Sequence, residues 1–315
     1  MSPEQVAESL ALLKQDVAFA EVAARTLIEV RGDDRTRFLH NVCTNDINAL
    51  AVGGGCEAFL TSVQGKTLLH CFVFCEDDRL VIDASPNHAE AVLPHLTKYA
   101  LIDDIALEDR SSESKQLLVL GTNAEQTLSK LNLATPTQTL GHASADDITV
   151  CRVPFVAEPC FALRATSPEL LEQIAQRLVE AGVSKLAVAG VDAARISAGF
   201  PEFGQDITAD NLPQEVGRDK LAISFTKGCY LGQETVARID ALGHVNKYLV
   251  RLESVADLNA GDELFSAHDD GKAMGKITSA VRLPERTLAL GYVRREAKEA
   301  NAELACHGAA VHLAK

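Results

Sequence analysis

The order in which extended and helical patterns follow one another limits this chain more than any single residue does. Ala23 to Val30 alternates as a strand and ends at Gly32-Asp33-Asp34, where either aspartate can cap a short helix carrying Phe38 and Leu39. Three apolar runs follow as strands, at Glu57–Thr61, Thr67–Phe74 and Leu80–Ala84, with turns at Gln64-Gly65 and Glu76-Asp77-Asp78. Ser85-Pro86 then opens a helix that runs to about Tyr99. Clustered strands bracketed by helices describe an α+β layer, not alternating βαβ units. From Gln116 the pattern restarts: a strand to Leu120, a helix over Ala124–Leu131, strands near Ile148–Val153 and Cys160–Ala165, and a helix from the Ser167-Pro168-Glu169 cap to about Ala181. The second half repeats the first in outline without a convincing sequence repeat. From Lys247 onward, short apolar runs (Tyr248–Leu252, Met274–Ile277, Leu288–Val293) alternate with Gly-Asp and Asp-Gly turns, the pattern of a small β-barrel or sandwich. The reading is therefore a body over residues 1–245, with a second subdomain at 113–184, and a separate β-unit over 246–315.

Composition narrows the function classes. A hydrophobic share of 47% in 315 residues fills the cores of two or three packed units. The net charge of −14 repels a phosphate backbone, and Arg294-Arg295 is the only adjacent basic pair near the C-terminus, which argues against direct nucleic-acid binding. No apolar run approaches the ~20 residues of a membrane span. Ser2-Pro3-Glu4-Gln5 reads as a capped helix start and not as a signal peptide, so a cytoplasmic protein with reduced thiols is expected. The eight cysteines contain no Cys-x-x-Cys pair, in keeping with that expectation.

The densest motif is Lys227-Gly228-Cys229-Tyr230-Leu231-Gly232-Gln233-Glu234. Its two glycines bring backbone close to something or hold a turn that a Cβ would obstruct. Gln233 to Leu242 reads as a helix, which places Cys229 just ahead of a helix N-terminus with Lys227 nearby. Both features favour the thiolate, the nucleophilic and metal-binding form. A small buried hydrophobe in a tight turn accounts for the cysteine equally well, and the residues alone leave both readings open.

This motif resembles the signature of YgfZ-type proteins, relatives of the glycine-cleavage T-protein (aminomethyltransferase). The likeness runs through most of the chain. It includes Gly32-Asp33-Asp34 with Phe38-Leu39-His40-Asn41 and Thr44-Asn45-Asp46-Ile47, then Gln64-Gly65-Lys66, then Arg195-Ile196-Ser197-Ala198-Gly199-Phe200-Pro201 with Pro213-Gln214-Glu215. In the tail it includes Ala260-Gly261-Asp262 and Gly275-Lys276-Ile277-Thr278-Ser279. The resemblance implies an aminomethyltransferase-like, folate-binding body of ferredoxin-like units around a central cavity, with a C-terminal β-barrel. It implies tetrahydrofolate or a derivative as ligand. Arg195 would meet the anionic glutamate tail, and Asn45 and Asp46 would stand near the cavity, although a helix-ending turn also explains that pair. Glu158 falls roughly where T-proteins carry a pterin-binding glutamate, and Gln233, in the cysteine motif, is expected among the ligand-binding residues as well. Two departures stand out. Where T-proteins follow the hairpin with acidic residues, the nearest positions here are Leu69 and His70, which speaks against ordinary aminomethyl transfer. Some relatives line the cavity with tryptophan; this chain has none, and the corresponding positions are Arg25 and Val191.

The function that the resemblance implies is a folate-binding accessory role in iron–sulfur cluster assembly or repair. Cys229 would be the working thiol with Lys227 beside it, a transient cluster ligand but no permanent metal site, and the partners would be iron–sulfur client or assembly proteins. An effect on tRNA modification would then be indirect. Two alternatives remain: a tetrahydrofolate-dependent one-carbon transferase or demethylase, and a non-catalytic folate-sensing module with a structural Cys229. Gly53-Gly54-Gly55 reads as a loop, Cys71 and Cys75 as core positions on one strand face, and the nine histidines show no zinc-ligand spacing.

Overall fold

The computed structural model describes residues 1–113, 115–267, 269–300 and 302–314, with the backbone alone for 269–271. In chain order the first half contains α1 (Pro3–Gln15), β1 (Val17–Val22), β2 (Thr26–Arg31), α2 (Arg35–Val42), β3 (Gly55–Thr61), β4 (Thr67–Cys75), β5 (Arg79–Ala84), α3 (Ala89–Tyr99) and β6 (Ala106–Asp109). Then come β7 (Gln116–Gly121), α4 (Ala124–Lys130), β8 (His142–Ala145), β9 (Ile148–Arg152), β10 (Cys160–Ala165), α5 (Pro168–Glu180), β11 (Ser184–Lys185), α6 (Val188–Ala198), α7 (Asp219–Ala222) and α8 (Gln233–Leu242). The C-terminal part holds β12 (Lys247–Ser254), β13 (Glu263–Ser266), β14 (Asp269–Arg282), β15 (Thr287–Arg294), α9 (Arg295–Glu299), β16 (Leu304–Cys306) and β17 (Ala309–Leu313).

The strands form three units. One sheet has the order β3-β4-β5-β2-β6, a second has β11-β1-β7-β10-β9-β8, and β12 to β17 close into a barrel. The fold is thus the α+β body that the sequence patterns imply, and of the barrel and the sandwich they left open for the C-terminal unit it has the barrel, as the family resemblance implies. Helix α1 starts as expected, with Ser2 and Gln5 exchanging both bonds of a capping box. The helix after Ser85-Pro86 begins only at Ala89, and the Gly32-Asp33-Asp34 cap makes no side-chain bond. Asp270-Gly271 lies within β14, not at a turn.

Two elements carry no periodic signal. Strand β1 lies inside the second sheet, antiparallel to β7 and parallel to β11. Its first four residues are buried, so both faces read apolar and the alternation that marks a half-exposed strand is missing. Helix α6 contains Gly190, at which a Cβ would stand 2.9 Å from Leu186 Cδ1 and 3.3 Å from Ser9 Oγ. The glycine that weakens the helical pattern is what lets α6 pack closely on its neighbours.

The two sheets of the body face each other across an apolar layer that includes Phe72, Phe74 and Val81 from one and Leu118, Leu120 and Ala162 from the other. Residues at every second position of β4 point into this layer, so His70, Phe72 and Phe74 share a face while Leu69, Cys71 and Val73 enter the core beneath α2 and α3. Cys71 and Cys75 accordingly flank Val73 on the core side. No helix among the described residues is long and apolar enough to cross a membrane.

Candidate functional site

A cavity of about 860 Å³, its open mouth included, lies at one end of the layer between the sheets. Its walls come from β4 (His70, Phe72), β5 (Asp83), the segment before β2 (Arg25), the bend before β10 (Phe155) and α6 with its C-terminal turn (Val191, Arg195, Phe200). The rings of Phe72, Phe155 and Phe200 lie pairwise 5.4–6.0 Å apart, an aromatic wall in a chain that lacks tryptophan.

Two buried carboxylates organise the polar groups here, Asp83 on the cavity wall and Glu57 behind it, bound to the wall residue His70. Asp83 accepts a bond from Arg25 Nε at 2.5 Å and one from Gln116 Nε2 at 2.7 Å, and the Arg25 guanidinium lies 4.8 Å above the Phe155 ring. Glu57, on β3, is bound by both arms of Arg218, the Nη2 arm at 2.6 Å, and by His70 Nε2 at 2.6 Å. Burial alone would push the Glu57 carboxyl up, but the hydrogen bonds and charges of His70 and Arg218 outweigh it and hold its pKa at about 2. Arg218 in turn covers the Phe200 ring at 4.8 Å. Of the two positions nearest the T-protein acidic pair, only His70 faces the cavity; Leu69 is in the core.

Arg195 also touches the cavity, but its donors are committed. Nε goes to Asp192 at 2.8 Å, Nη1 to the Phe200 carbonyl at 2.8 Å and to Asp206 at 2.6 Å, and Nη2 to Ser279 at 3.2 Å. Asp206 also accepts from Thr278 and Ser279 at 2.5 and 2.6 Å. Burial works against the Arg195 charge, yet Asp206 and Asp192 raise its pKa further. This network joins α6 to barrel strand β14, so the guanidinium assigned to the glutamate tail is already neutralised.

The cysteine motif forms a second region. Gly232 has φ +82° and caps α8, and a Cβ on it would stand 2.9 Å from Thr61 Oγ1 and 3.0 Å from Gly65 Cα. The motif's second glycine therefore packs against the β3–β4 turn, whereas Gly228 is not in the left-handed region and a Cβ there would meet only His40 Nε2, at an ordinary contact distance of 4.0 Å. The Leu231 amide donates to the Asn41 carbonyl at 2.9 Å and Thr61 Oγ1 to the Leu231 carbonyl at 2.5 Å. Lys227 is buried and aims its ammonium at the carbonyls of His40, Cys43 (2.9 Å) and Asn45 (2.7 Å), at the C-terminal end of α2. It neutralises that helix end, with its pKa lowered by burial, and none of its hydrogen bonds goes to Cys229. Cys229 itself is exposed, with Tyr230 and Leu231 between it and the Gly232 cap. Beneath the loop, His40 Nε2 lies 4.0 Å from where a Gly228 Cβ would stand, and His40 Nδ1 lies 3.3 Å from Asp46. Burial and the Lys227 charge lower the His40 pKa, so a neutral imidazole underlies the cysteine loop.

The structure thus divides the residues singled out in the sequence. Arg25, Val191 and Arg195 line the cavity; Lys227, Cys229, Asn45 and Asp46 gather at the α2 end, and Gln233 opens α8. Asn45 spends its amide on the carbonyls of Glu57 (2.7 Å) and Leu221 (2.8 Å), tying the α2 end to β3 and α7. Glu158 is half-buried in the bend before β10 and does not line the cavity, whereas Phe155 of the same bend does. Sequence reasoning missed Glu57, Asp83, Phe155 and Arg218. The available signal was a charged residue inside an otherwise apolar strand, as at Glu57 and Asp83. In the barrel, Asp262, Cys306 and His307 bring one ligand atom each within 4.8 Å of one another, and the 3.1 Å His307–Asp262 hydrogen-bonded pair accounts for that closeness.

Comparison with known proteins places this geometry. The family model for the GCVT N-terminal domain matches residues 2–227. A chloroplastic candidate transferase of Arabidopsis thaliana is 26% identical over 92% of this chain and 68% of its own length. The tRNA-modifying protein YgfZ of Yersinia enterocolitica is 26% identical over 83% of this chain and 79% of its own. The solved structure of the glycine cleavage system aminomethyltransferase T from Bartonella henselae superposes with a TM-score of 0.88, covering 98% of this chain and 88% of that one at 20% identity, a likeness of fold. With most of its length matched by that model, the chain belongs to the GCVT-domain family, and its relatives there include proteins of the YgfZ type.

Proposed function

We propose that the protein binds a reduced folate, tetrahydrofolate or a derivative, in the cavity between the two sheets. It acts there as a cytoplasmic accessory protein in the assembly or repair of iron–sulfur clusters, with Cys229 as its exposed working thiol. The observation that carries the reading is the aromatic-walled cavity with convergent polar groups, in a chain of the GCVT-domain family. The residues fit such a ligand. Phe72, Phe155 and Phe200 offer faces for a flat pterin, and Asp83, Asp192 and Glu202 offer acceptors for its donors. Arg25, stacked on Phe155, is the cation on the wall that an anionic carboxylate of the ligand would share with Asp83.

Aminomethyl transfer is not part of this reading, because His70 and no carboxylate stands at the corresponding place on the cavity wall. The YgfZ relatives are named for tRNA modification. We read that as an indirect effect, through tRNA-modifying enzymes that contain iron–sulfur clusters, since a net charge of −14 opposes direct contact with RNA. Calorimetry with tetrahydrofolate tests the ligand: absence of binding at millimolar concentration removes it. Iron–sulfur enzyme activity in cells carrying the wild type, Cys229→Ala or no protein tests the role, and full complementation by Cys229→Ala would leave a folate-sensing module with a structural cysteine.

A further inference from the structure

Three side chains of the barrel bring ligand chemistry to one point, on elements that take no part in the function above. Asp262 ends the turn before β13 and is fixed from two sides. The Asn259 amide donates to its carboxylate at 2.8 Å, and its carbonyl accepts from the Ile277 amide of β14 at 2.9 Å. Cys306 closes β16, and His307 opens the turn to β17. Consecutive strand residues point to opposite faces, but the left-handed backbone of His307, φ +49°, ends that alternation. Asp262, Cys306 and His307 each offer one ligand atom, and the three atoms lie within 4.8 Å of one another. The 3.1 Å His307–Asp262 bond holds two of them together without an ion, and it leaves the thiol unexplained. Cys306 is 1% exposed, and among the described residues its sulfur has no hydrogen-bond partner, although it lies within reach of both the carboxylate and the imidazole.

We propose that Asp262, Cys306 and His307 form a zinc site that clips the β16–β17 turn to the turn before β13. The donor set selects the ion. Thiolate and imidazole suit zinc, whereas magnesium and calcium take oxygen ligands. One thiolate and one carboxylate together cancel the charge of a divalent ion, and the thiol proton displaced on binding passes to solvent.

The distances suit that ion. Bonds of about 2.0 Å to nitrogen and oxygen and about 2.3 Å to sulfur set the ligand atoms of a tetrahedral zinc about 3.3–3.5 Å apart. The His307–Asp262 pair already stands close to that spacing, and the sulfur has at most about 1.3 Å to close. Three protein ligands leave a tetrahedral ion one position for solvent. The His307 side chain, 62% exposed, gives the ion its way in, so the site exchanges its metal and is not sealed around it.

The test uses the full chain, stripped of metal under reducing conditions. Zinc is titrated in competition with a chromophoric chelator, and cobalt(II) serves as the spectroscopic probe. One zinc per chain is expected, at micromolar affinity or tighter, with a near-ultraviolet cobalt–thiolate band and the visible bands of a tetrahedral site. Cys229→Ala removes the one exposed thiol and should leave both results unchanged. His307→Asn removes the ring nitrogen while asparagine tolerates the left-handed backbone, and zinc affinity should fall by at least about tenfold. Cys306→Ser should abolish the cobalt–thiolate band. Thermal melts show whether that variant is folded; where it is not, His307→Asn decides alone, because its side chain lies on the surface. Absence of binding, a cobalt spectrum without the thiolate band, binding lost in Cys229→Ala, or an affinity unchanged in His307→Asn overturns the proposal. Zinc held loosely at several places and equally in every variant is an adventitious ion only, and overturns it as well. The folate reading stands or falls on its own calorimetry in each case.

Discussion

On the cavity wall and in the layer just behind it, side chains from separate elements answer one another: Glu57 is met by Arg218 and His70, and Asp83 by Arg25 and Gln116. At the α2 end, the hydrogen bonds of Lys227 go to three main-chain carbonyls, and Cys229 stands in solvent on a loop held by the Leu231 amide and carbonyl. The first region is specified side chain by side chain in a low-dielectric layer, where each partner removed leaves a charge behind. The second is specified by backbone, so the exposed thiol carries almost none of its stability. The two meet at Asn45, whose amide binds the Glu57 carbonyl and whose own carbonyl accepts from Lys227. That contact makes them mechanically adjacent while their energetics stay separate.

The largest expected effect is at Glu57. Glu57→Ala leaves the Arg218 guanidinium in a pocket built for an ion pair and should destabilise the protein by about 3–5 kcal/mol in urea unfolding. A loss under ~1 kcal/mol would mean that the wall is solvated and the contrast drawn above is false. The same carboxylate shapes the acid limb. Its folded pKa, about 2, lies below the ordinary 4.5, so the stability it contributes is complete above pH 4.5 and is lost as pH falls from there toward 2. The difference is worth about 3 kcal/mol, and Glu57→Gln should show a visibly flatter acid limb in melts taken across that window.

Lys227 comes next. Lys227→Met keeps the buried stem but withdraws the donor from the His40, Cys43 and Asn45 carbonyls, at an expected cost of about 2 kcal/mol. If the lysine served only to activate the thiol, stability would not change and cysteine reactivity would fall instead. Unfolding and alkylation of the one variant therefore distinguish an anchor from an activator.

What could be read in the sequence follows the range of the interaction. The β2 to β5 strands, α5 and α8 lie where alternation, caps and turn residues place them, because those signals are local. Strand β1 escaped because it is buried on both faces, and the edge strand β11 because it is two residues long. The role of Lys227 escaped for a different reason: its acceptors lie in the Arg35–Asp46 stretch, distant in sequence, and a lysine next to a cysteine motif invites a local interpretation. Arg25 and Val191 reach the cavity through the family likeness, whereas Phe155 and Phe200 could be recognised as its wall only once two sheets had been brought face to face.

Cys229 should produce the smallest change in stability. It is the one exposed cysteine of eight; Cys56 and Cys75 are half-buried and the other five are buried. Burial pushes Cys151 up to about 11 and Cys160 up to about 12, which keeps those thiols protonated and unreactive. Iodoacetamide at neutral pH should therefore label Cys229 first, by access alone, with peptide mapping as the readout. Early labelling of a buried cysteine would show that the layer opens and would weaken the contrast from the cavity side. Cys229→Ala replaces a small solvent-facing side chain on a loop whose anchors are main-chain atoms, so unfolding should move by less than ~0.5 kcal/mol. Iron–sulfur enzyme activity in cells should nevertheless collapse. Stability retained with activity lost assigns the thiol to chemistry, because the loop that carries it is held by the Leu231 amide and carbonyl. A loss of several kcal/mol on the same substitution would mean instead that the loop leans on its cysteine, and the two regions would then be built alike.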